Sequence, residues 1–441
     1  MERIRVKNRY GILIMVGILL SMSFSGCHDK NPVPVEQASS NLSYEELSSD
    51  MNEVTASNAE ISSLVDEAST EQESTSAKVS SDKTLVSSER AKASSALATS
   101  SKRQEASSAP VIQKSENNIE LIGRFSEVSS GKYQFEWSGS TITAGFEGTE
   151  ISILLRTMRL GPYGTEDYFN VSIDGEKASV LKVQQGTEKY QLAKNLKNGY
   201  HTVRITKRTE AQFGSLIQFE GFDYGSGKAA PAPARKNRRI EIYGDSISAG
   251  YGNEGTESGF RLDEENADLT YGAFTAKALD AEYTDIALSG HGVYVSLSGS
   301  TTEVTPKYFD RMIYKEPMTY RFTQSPPDVV IINLGTNDYA MNVNDGNYYK
   351  AYLDFIAKIR KKYPKAYIVC TTCGGTDKSL DLLTRVVDTR KEQYKDQKIG
   401  QFFGIIEDTK GAFGADGHPS VYGHQQLADQ LVEYLKDVMN W

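Results

Sequence analysis

Cysteine is scarce in this sequence, with only Cys27, Cys370 and Cys373 among 441 residues. So few cysteines exclude a scaffold built from disulfides. Cys370 and Cys373 lie three positions apart in an apolar run with strand character, and extended backbone would hold them roughly 10 Å apart, too far for a disulfide. A zinc site would need further Cys or His at ligand spacing, and the sequence has no second pair. We therefore expect buried free thiols and no metal.

An excess of positive charge is also missing. The formal net charge is −9, and no basic face stands out, so we expect no nucleic-acid partner. Mean hydropathy is −0.46, which is polar for a fully globular chain of this length. Most of the polar excess lies in one serine-rich block near the N-terminus, and the remaining sequence is typical of globular protein.

A hydrophobic run of comfortable membrane-spanning length is absent as well. The apolar stretch at residues 10–20 follows a basic start and ends in small residues before Cys27, which is the order of a secretory signal peptide. A small-residue pair directly before cysteine resembles a bacterial lipobox, in which that cysteine becomes the lipid-modified first residue. We predict a lipoprotein signal peptide at residues 1–26 and an extracytoplasmic protein anchored to the bacterial cell membrane through Cys27. The alternative is ordinary signal-peptidase cleavage with Cys27 incidental.

Aromatic residues are nearly absent from residues 27–117, where Tyr44 is the only one and Ser, Ala, Glu, Thr and Lys dominate. Such a composition cannot bury enough apolar surface to offset chain entropy. We expect a disordered, serine-rich linker that tethers the folded part to the membrane.

Short strand-like runs with turn signals between them fill residues 118–226. Several alternate apolar and polar residues, and Gly-containing turns such as Asp174-Gly175 separate them. This pattern favours an antiparallel β-sandwich, with a jelly roll as the expected form. The strand-like runs are residues 133–137, 141–146, 150–155, 169–173 and 201–205. Trp137 could be a platform for stacking sugars, but a core position beside Phe135 is the favoured interpretation.

Strand and helix patterns alternate through residues 238–441, which indicates a parallel sheet covered on both faces. Apolar residues recur at helical spacing in residues 347–361 and again in the last helix, where Ser420 is a plausible N-cap. The expected strands are residues 239–243, 284–288, 328–334, 366–371 and 402–406. Active groups in such sheets gather beyond the carboxyl ends of the strands.

Four short motifs follow predicted strands or precede the last helix. Ser246 lies on a tight turn after the first strand, and a serine nucleophile needs a base, for which His418 is the best candidate. Asp416 could hold the imidazole in the useful tautomer. The backbone N–H groups of Ser246 and Gly290 and the side-chain amide of Asn337 could stabilise an oxyanion.

Together these motifs resemble the SGNH, or GDSL, hydrolase superfamily. Within it, the sequences GDSISAGYGNEG, LTYGAF, ALSGHGVY, ADGHPS and NGYHTVRITKRTE are similar to carbohydrate esterase family 2, over residues 118–441. The resemblance implies a flavodoxin-like three-layer domain preceded by a jelly roll. It also implies a serine acetyl esterase for plant polysaccharide such as xylan or glucomannan, or for shorter acetylated sugars, without a cofactor. We expect it to act as a monomer.

The resemblance further implies an aromatic side chain over the sugar. Trp441 lies at the terminus, so Tyr294 or Tyr339 would have to be the ring that stacks on the sugar. His291 could also contact substrate, and a solvated loop histidine is the alternative. Some members of the superfamily orient the histidine with a backbone carbonyl, which leaves open the role of Asp416.

Two neighbouring residues are expected to be structural. His424 falls on the inward side of the last helix, and Asp338 is expected to buttress its own loop.

Two alternative functions stay open at this point. An esterase of the same fold could act on lipid or on acylated cell-wall polymer, although the loops near Ser246 are polar and Gly-rich. A non-catalytic glycan-binding lipoprotein is the other alternative, and it would have no chemical need to keep Ser246, Asn337 and His418 together.

Overall fold

Secondary structure changes from strands alone to alternating strands and helices at residue 238. The computed structural model describes residues 117–256, 258–322, 325–373 and 377–441. The predicted signal peptide, the lipidation site Cys27 and the linker before residue 117 lie outside the described residues. Within those described ranges, no helix is long and apolar enough to cross a membrane.

The first domain is an antiparallel sandwich of two sheets. Its strands are β1 (Ile119–Ile122), β2 (Ser126–Ser129), β3 (Lys132–Phe135), β4 (Thr141–Gly148), β5 (Ile151–Arg159), β6 (Glu166–Ile173), β7 (Ser179–Gln184), β8 (Lys189–Ala193), β9 (Gly199–Lys207), β10 (Leu216–Asp223) and β11 (Lys228–Ala230). One sheet has the order β1-β4-β9-β6-β7 with β11 paired to β4, and the other has the order β2-β3-β10-β5-β8. The predicted sandwich is confirmed, and β11 extends it beyond residue 226.

Large apolar side chains fill the space between these sheets, among them the buried Phe135, Phe146 and Phe169. Trp137 is also buried, as the core interpretation predicted, but it does not join this cluster. It packs instead with side chains of the second domain, and its indole N–H donates to the carbonyl of Met312 at 2.9 Å. The tryptophan therefore belongs to the junction between the two domains, because its polar edge finds its partner there.

The second domain is a five-stranded parallel sheet with helices on both faces. Its strands are β12 (Arg238–Gly244), β13 (Ala281–Ala287), β14 (Val329–Asn333), β15 (Tyr367–Thr371) and β16 (Ile399–Gln401). Its helices are α1 (Ser246–Ala249), α2 (Tyr271–Ala278), α3 (Thr336–Ala340), α4 (Asp345–Lys362), α5 (Asp377–Glu392) and α6 (Val421–Met439). The order β13-β12-β14-β15-β16 is that of a flavodoxin-like sheet.

Alternate residues of the sheet point to different helix layers, as the period of a strand requires. Ile242 packs in the cluster that holds Leu431 of α6, whereas Tyr243 packs with Ile356 of α4. The Ser420 hydroxyl accepts a hydrogen bond from the N–H of Gly423 at 3.2 Å, so the predicted N-cap of α6 is confirmed.

One predicted strand is misplaced. The sheet ends with β16, whereas the sequence pattern indicated a strand at residues 402–406. In that segment Ile405 is 66% exposed, and its N–H donates to the side chain of Gln430 at 3.1 Å. The apolar run was misleading because side chains of helix α6 supply hydrogen-bond partners that a neighbouring strand would otherwise provide.

Buried polar contacts join the two domains. Arg124 of the sandwich is fully buried, and its guanidinium donates to the carbonyls of Phe309 and Arg311 at 2.7 Å each. It also forms an ion pair with Glu241 of β12 at 3.2 Å. A buried charge is tolerated only when it is paired and hydrogen-bonded, so this contact requires the two domains to keep their relative position.

Candidate active site

The serine nucleophile lies where β12 meets α1. A Cβ at Gly244 would come within 2.1 Å of the Ser248 hydroxyl, so only glycine fits this close approach. Asp245 caps the short helix by accepting a hydrogen bond from the N–H of Ile247 at 3.1 Å. This geometry places Ser246 at the first position of α1, with 8% of its surface exposed.

His418 forms a Ser–His pair with Ser246. Its Nε2 lies 2.9 Å from Oγ of Ser246, and its ring packs 4.3 Å from the ring of Tyr251. Burial lowers the pKa of His418 to about 4, since a charged imidazole would lose its hydration. The imidazole is therefore neutral at physiological pH, which is the form that can accept the proton of Ser246.

The predicted role of Asp416 as the third member of a triad is not supported by the hydrogen bonds of its carboxylate. Its carboxylate accepts hydrogen bonds from the Tyr251 hydroxyl at 3.0 Å and from the N–H of Gly259 at 2.9 Å. Within the described residues, Nδ1 of His418 has no hydrogen-bond partner. The backbone of Ala415, the charge of Asp416 and the backbone of Asp416 all oppose the lowering of the pKa of His418 by burial.

The predicted oxyanion donors lie on three loops at the carboxyl ends of β12, β13 and β14. Gly290 has a φ of 78°, a left-handed conformation suited to glycine. In the described part of the chain, the N–H groups of Ser246 and Gly290 donate no hydrogen bond to another protein group. The Asn337 amide donates to the carbonyl of His291 at 2.9 Å and to Asp245 at 3.3 Å. Two backbone donors are thus available, and the role of Asn337 stays a prediction.

His291 is neither a solvated loop residue nor part of an open substrate surface. It is 6% exposed, and its Nε2 lies 2.8 Å from the side-chain oxygen of Gln212 in the sandwich domain. Burial lowers its pKa to about 4. The ring of His291 is therefore buried in the junction between the domains, and its contact with substrate stays a prediction.

The two tyrosines predicted to contact sugar pack against the α4 side of the core. The Tyr339 ring lies 5.1 Å from Tyr348, and its hydroxyl is buried without a hydrogen-bond partner among the described residues. Tyr294 is half-buried. Their substrate role stays a prediction.

His424 is structural as expected, whereas Asp338 holds the loop at residues 293–295 rather than its own. His424 is buried, and its Nδ1 accepts the N–H of Tyr271 at 3.2 Å. Asp338 accepts three backbone N–H groups, from residues 293–295, at 2.8 to 3.0 Å. Cys370 and Cys373 are buried free thiols, also as predicted.

An aromatic cluster beside the dyad was missed by sequence reasoning. From Tyr251 against His418, ring contacts continue to Phe260 at 4.6 Å and from Phe260 to Tyr163 at 4.9 Å. Phe213 packs 4.7 Å from Phe260. Tyr163 is 50% exposed and borders a cavity of about 250 Å³. These rings come from loops of both domains, so no local sequence pattern predicts that they pack together.

The remaining walls of this cavity are largely polar. Beyond Tyr163 and Phe260, it is lined by Glu166, Tyr168, Arg261, Leu262 and Asp263. An exposed ring beside carboxylate and guanidinium groups offers both apolar and hydrogen-bonding contacts to a ligand.

A flavodoxin-like sheet with a Ser–His pair, unpaired backbone N–H groups on neighbouring loops and a serine on a glycine-containing turn is the arrangement of an SGNH serine hydrolase. The profile described as Carbohydrate esterase 2 N-terminal matches residues 121–233. The profile of the GDSL-like Lipase/Acylhydrolase family matches residues 242–426. The two matches follow the two observed domains in the same order.

Similar proteins of known structure identify the family. A solved structure of a family two carbohydrate esterase from Clostridium thermocellum, in complex with cellohexaose, is 33% identical and has a TM-score of 0.66. The match covers 73% of this chain and 99% of that chain. The chain therefore belongs to carbohydrate esterase family 2.

Curated relatives include Cellulase/esterase CelE of Acetivibrio thermocellus, which is 34% identical over 330 residues. That match covers 72% of this chain but only 39% of CelE. An acetylxylan esterase / glucomannan deacetylase of Cellvibrio japonicus is 25% identical over 354 residues, covering 76% of this chain and 93% of that protein. These relatives are named as esterases, and the dyad is the machinery of carboxylic ester hydrolysis.

Proposed function

We propose that this chain is a serine esterase that removes O-acetyl groups from carbohydrate, such as xylan, glucomannan or shorter acetylated saccharides. The observation that carries the proposal is the 2.9 Å contact between Nε2 of His418 and Oγ of Ser246. Membership of carbohydrate esterase family 2 supports an acylated sugar as the substrate. The intact dyad argues against a purely binding role.

The reaction proceeds through an acyl-enzyme. Neutral His418 takes the proton of Ser246 as Oγ attacks the acetyl carbonyl carbon, and the resulting oxyanion accepts the N–H groups of Ser246 and Gly290. The protonated imidazole then gives its proton to the departing sugar hydroxyl, which leaves acetyl on Oγ. Water attacks this ester with His418 again as base, and acetate leaves as Oγ recovers its proton.

The aromatic cluster supports a carbohydrate as the alcohol part of the ester. The flat, largely apolar face of a pyranose can stack on an exposed aromatic ring, and its hydroxyls need polar partners nearby. Tyr163 supplies a half-exposed ring, and Glu166, Arg261 and Asp263 line the same cavity. A lipid substrate would instead favour a wide apolar wall, which this polar lining does not provide.

Acetate release from acetylated xylan, acetylated glucomannan and a small aryl acetate tests the proposal, with Ser246→Ala beside the wild type. We expect release from a polysaccharide and a loss of at least ~10³-fold in the variant. Ser248→Ala is the matched control. It removes a buried hydroxyl 2.9 Å from the Tyr271 hydroxyl, and it should lower stability by about 1 kcal/mol while leaving kcat within a few-fold.

Three other outcomes would change the assignment. Hydrolysis of the aryl ester alone would point to another acylated substrate, such as acylated cell-wall polymer or lipid. Saccharide binding by folded protein without hydrolysis of any ester would favour a non-catalytic glycan-binding protein. Polysaccharide deacetylation that survives Ser246→Ala would remove the dyad from the mechanism.

We also propose that the protein is exported and anchored to the bacterial cell membrane by lipid on Cys27, as a monomer. The basic, apolar and small-residue order of residues 1–26 supports export. The monomer is supported by a dyad and backbone donors that all come from one chain. Incorporation of labelled fatty acid, lost in Cys27→Ala, tests the anchor; incorporation that persists in the variant would refute it. Light scattering of the purified protein tests the monomer.

A further inference from the structure

The loop that carries the oxyanion donor Gly290 makes contacts outside its own domain. We name residues 289–291, which follow β13, the oxyanion loop. The carbonyl of Gly290 accepts the N–H of Leu297 at 2.8 Å, and the carbonyl of His291 accepts the Asn337 amide at 2.9 Å. Those two contacts stay within the α/β domain. The N–H of His291 also bonds within this domain, to the carbonyl of Leu288 at 3.3 Å. Three other polar groups of the oxyanion loop contact the sandwich domain.

Glu210 is the first sandwich-domain contact of this loop. Its side chain is fully buried, and its Oε2 accepts the N–H of Ser289 at 2.7 Å. Ser289 directly precedes Gly290, so this hydrogen bond fixes the peptide plane next to the one that carries the oxyanion donor. Burial raises the pKa of the Glu210 carboxyl, which shows that desolvation of this group is costly.

Gln212 is the second contact, two residues further along. Its amide nitrogen donates to the carbonyl of Ser289 at 3.3 Å. Its amide oxygen lies 2.8 Å from Nε2 of His291. Glu210 and Gln212 together therefore engage both residues that flank Gly290, while the N–H of Gly290 itself stays available.

The segment that presents these side chains is itself held by the loop that follows the nucleophile. The N–H of Glu210 donates to Oε2 of Glu265 at 3.0 Å. The carbonyl of Arg208 accepts the N–H of Ala267 at 2.9 Å, and Nε of Arg208 donates to the carbonyl of Glu265 at 3.1 Å. Residues 208–212 thus connect two loops of the active site, one that follows β12 and α1 and one that follows β13.

We propose that Glu210 and Gln212 are positioning residues that align the Gly290 N–H with the oxyanion, an inference that rests on the proposed esterase function. The sandwich domain is then part of the catalytic machinery, although none of its side chains touches the reacting atoms. A displaced donor stabilises the transition state poorly, whereas the ground-state ester needs it little.

Steady-state hydrolysis of an aryl acetate by the whole protein tests this inference, because that substrate makes no demand on sugar binding. Loss of one oxyanion donor lowers kcat by about 10²–10³-fold, so we expect displacement in Glu210→Ala to lower kcat by about 10- to 100-fold. KM should stay within about twofold, as expected for an interaction made in the transition state. Gln212→Ala should act in the same direction, and Glu210→Gln, which keeps an acceptor for Ser289, should restore most of kcat.

Ser138→Ala is the matched control at the junction between the domains. The Ser138 hydroxyl donates to Oδ2 of Asp285 on β13 at 2.7 Å, in a buried contact that does not reach the oxyanion loop. This variant should lower the melting temperature and leave kcat unchanged. If Glu210→Ala and Gln212→Ala behave like Ser138→Ala, with lower melting temperatures but kcat within twofold of wild type, the positioning role is wrong.

The remaining outcomes are also decisive. Should Glu210→Ala fail to fold, Gln212→Ala decides the question, since it removes two contacts of a half-buried side chain. An increase in KM at constant kcat would overturn the inference. Wild-type protein that releases no acetate from any ester would overturn the proposed function and this inference together, whereas active wild type with equally active variants would overturn this inference alone.

Discussion

The two domains reach the active site by different routes. Ser246 and Gly290 follow strands β12 and β13 of the parallel sheet, and His418 lies just before helix α6. Glu210 and Gln212 reach the same region from the sandwich, in the connection between β9 and β10. The α/β domain thus holds the Ser–His pair and the proposed backbone oxyanion donors, and the sandwich contacts the loop on which one proposed donor lies.

The residues proposed to react with substrate therefore come from the α/β domain, and the residues proposed to position them come from the sandwich. Strand ends converge by topology, so reacting groups that follow strands are brought together by the sheet itself. Support from the sandwich depends on how two independently patterned domains pack against each other, as with Arg124 and Trp137. Variants in the two groups should therefore differ in the size of the effect and in the kinetic constant affected.

His418→Ala should give the largest effect, because it removes the base. We expect kcat to fall by at least ~10³-fold on every ester. His424→Asn is the control in the same region: its side-chain oxygen can replace Nδ1 as the acceptor for Tyr271, and kcat should remain within a few-fold. Comparable losses of kcat in both variants would show that any change in this region abolishes activity. They would then give no evidence that His418 is the base.

The pH dependence of kcat/KM should reveal the buried base. Burial lowers the pKa of His418 to about 4, so the neutral form persists as pH falls and is lost only near that value. At pH 5 we expect about 90% of the plateau, whereas an unperturbed histidine would leave about 3%. Initial rates between pH 4 and 8, with folding checked by circular dichroism, measure this. An acid limb centred near 6.5 would contradict it.

Tyr163→Ala tests the sandwich as a substrate surface. Removal of an exposed ring should raise KM for an acetylated oligosaccharide by about 3- to 10-fold, in line with 0.5–1.5 kcal/mol for an aromatic contact. Hydrolysis of the aryl acetate should not change. Tyr394→Ala is a matched control, since Tyr394 is 59% exposed and lies in the α/β domain, after helix α5. Equal KM values for both variants would remove Tyr163 from the substrate site.

Asp416→Asn should give the smallest effect. Asparagine tolerates the left-handed conformation of this residue, φ 51°, and its carbonyl keeps one of the two acceptor positions. We expect kcat within about threefold of wild type. The same change in a Ser-His-Asp triad costs ~10⁴-fold, so a loss of that size would restore the triad assignment.

Much of the site was predictable because it follows local rules. A serine on a glycine-containing turn after a buried strand must lie at the carboxyl end of the sheet, and the Asp-Gly-His segment precedes a helix with a recognisable cap. The orientation of Asp416 was not predictable. Its proximity to His418 in sequence suggested a hydrogen bond, but its backbone conformation directs the carboxylate to Tyr251 and Gly259.

By itself the sequence determined the order of the domains, the sandwich, the parallel sheet and the pairing of Ser246 with His418, since these depend on strand periodicity and on motifs at strand ends. Tertiary structure alone decided that His291 is buried, that Trp137 belongs to the junction and that Glu210 and Gln212 hold the oxyanion loop. Each of those contacts joins residues about 80 to 180 positions apart. Packing between the domains selects such pairs, and no local pattern of residues encodes them.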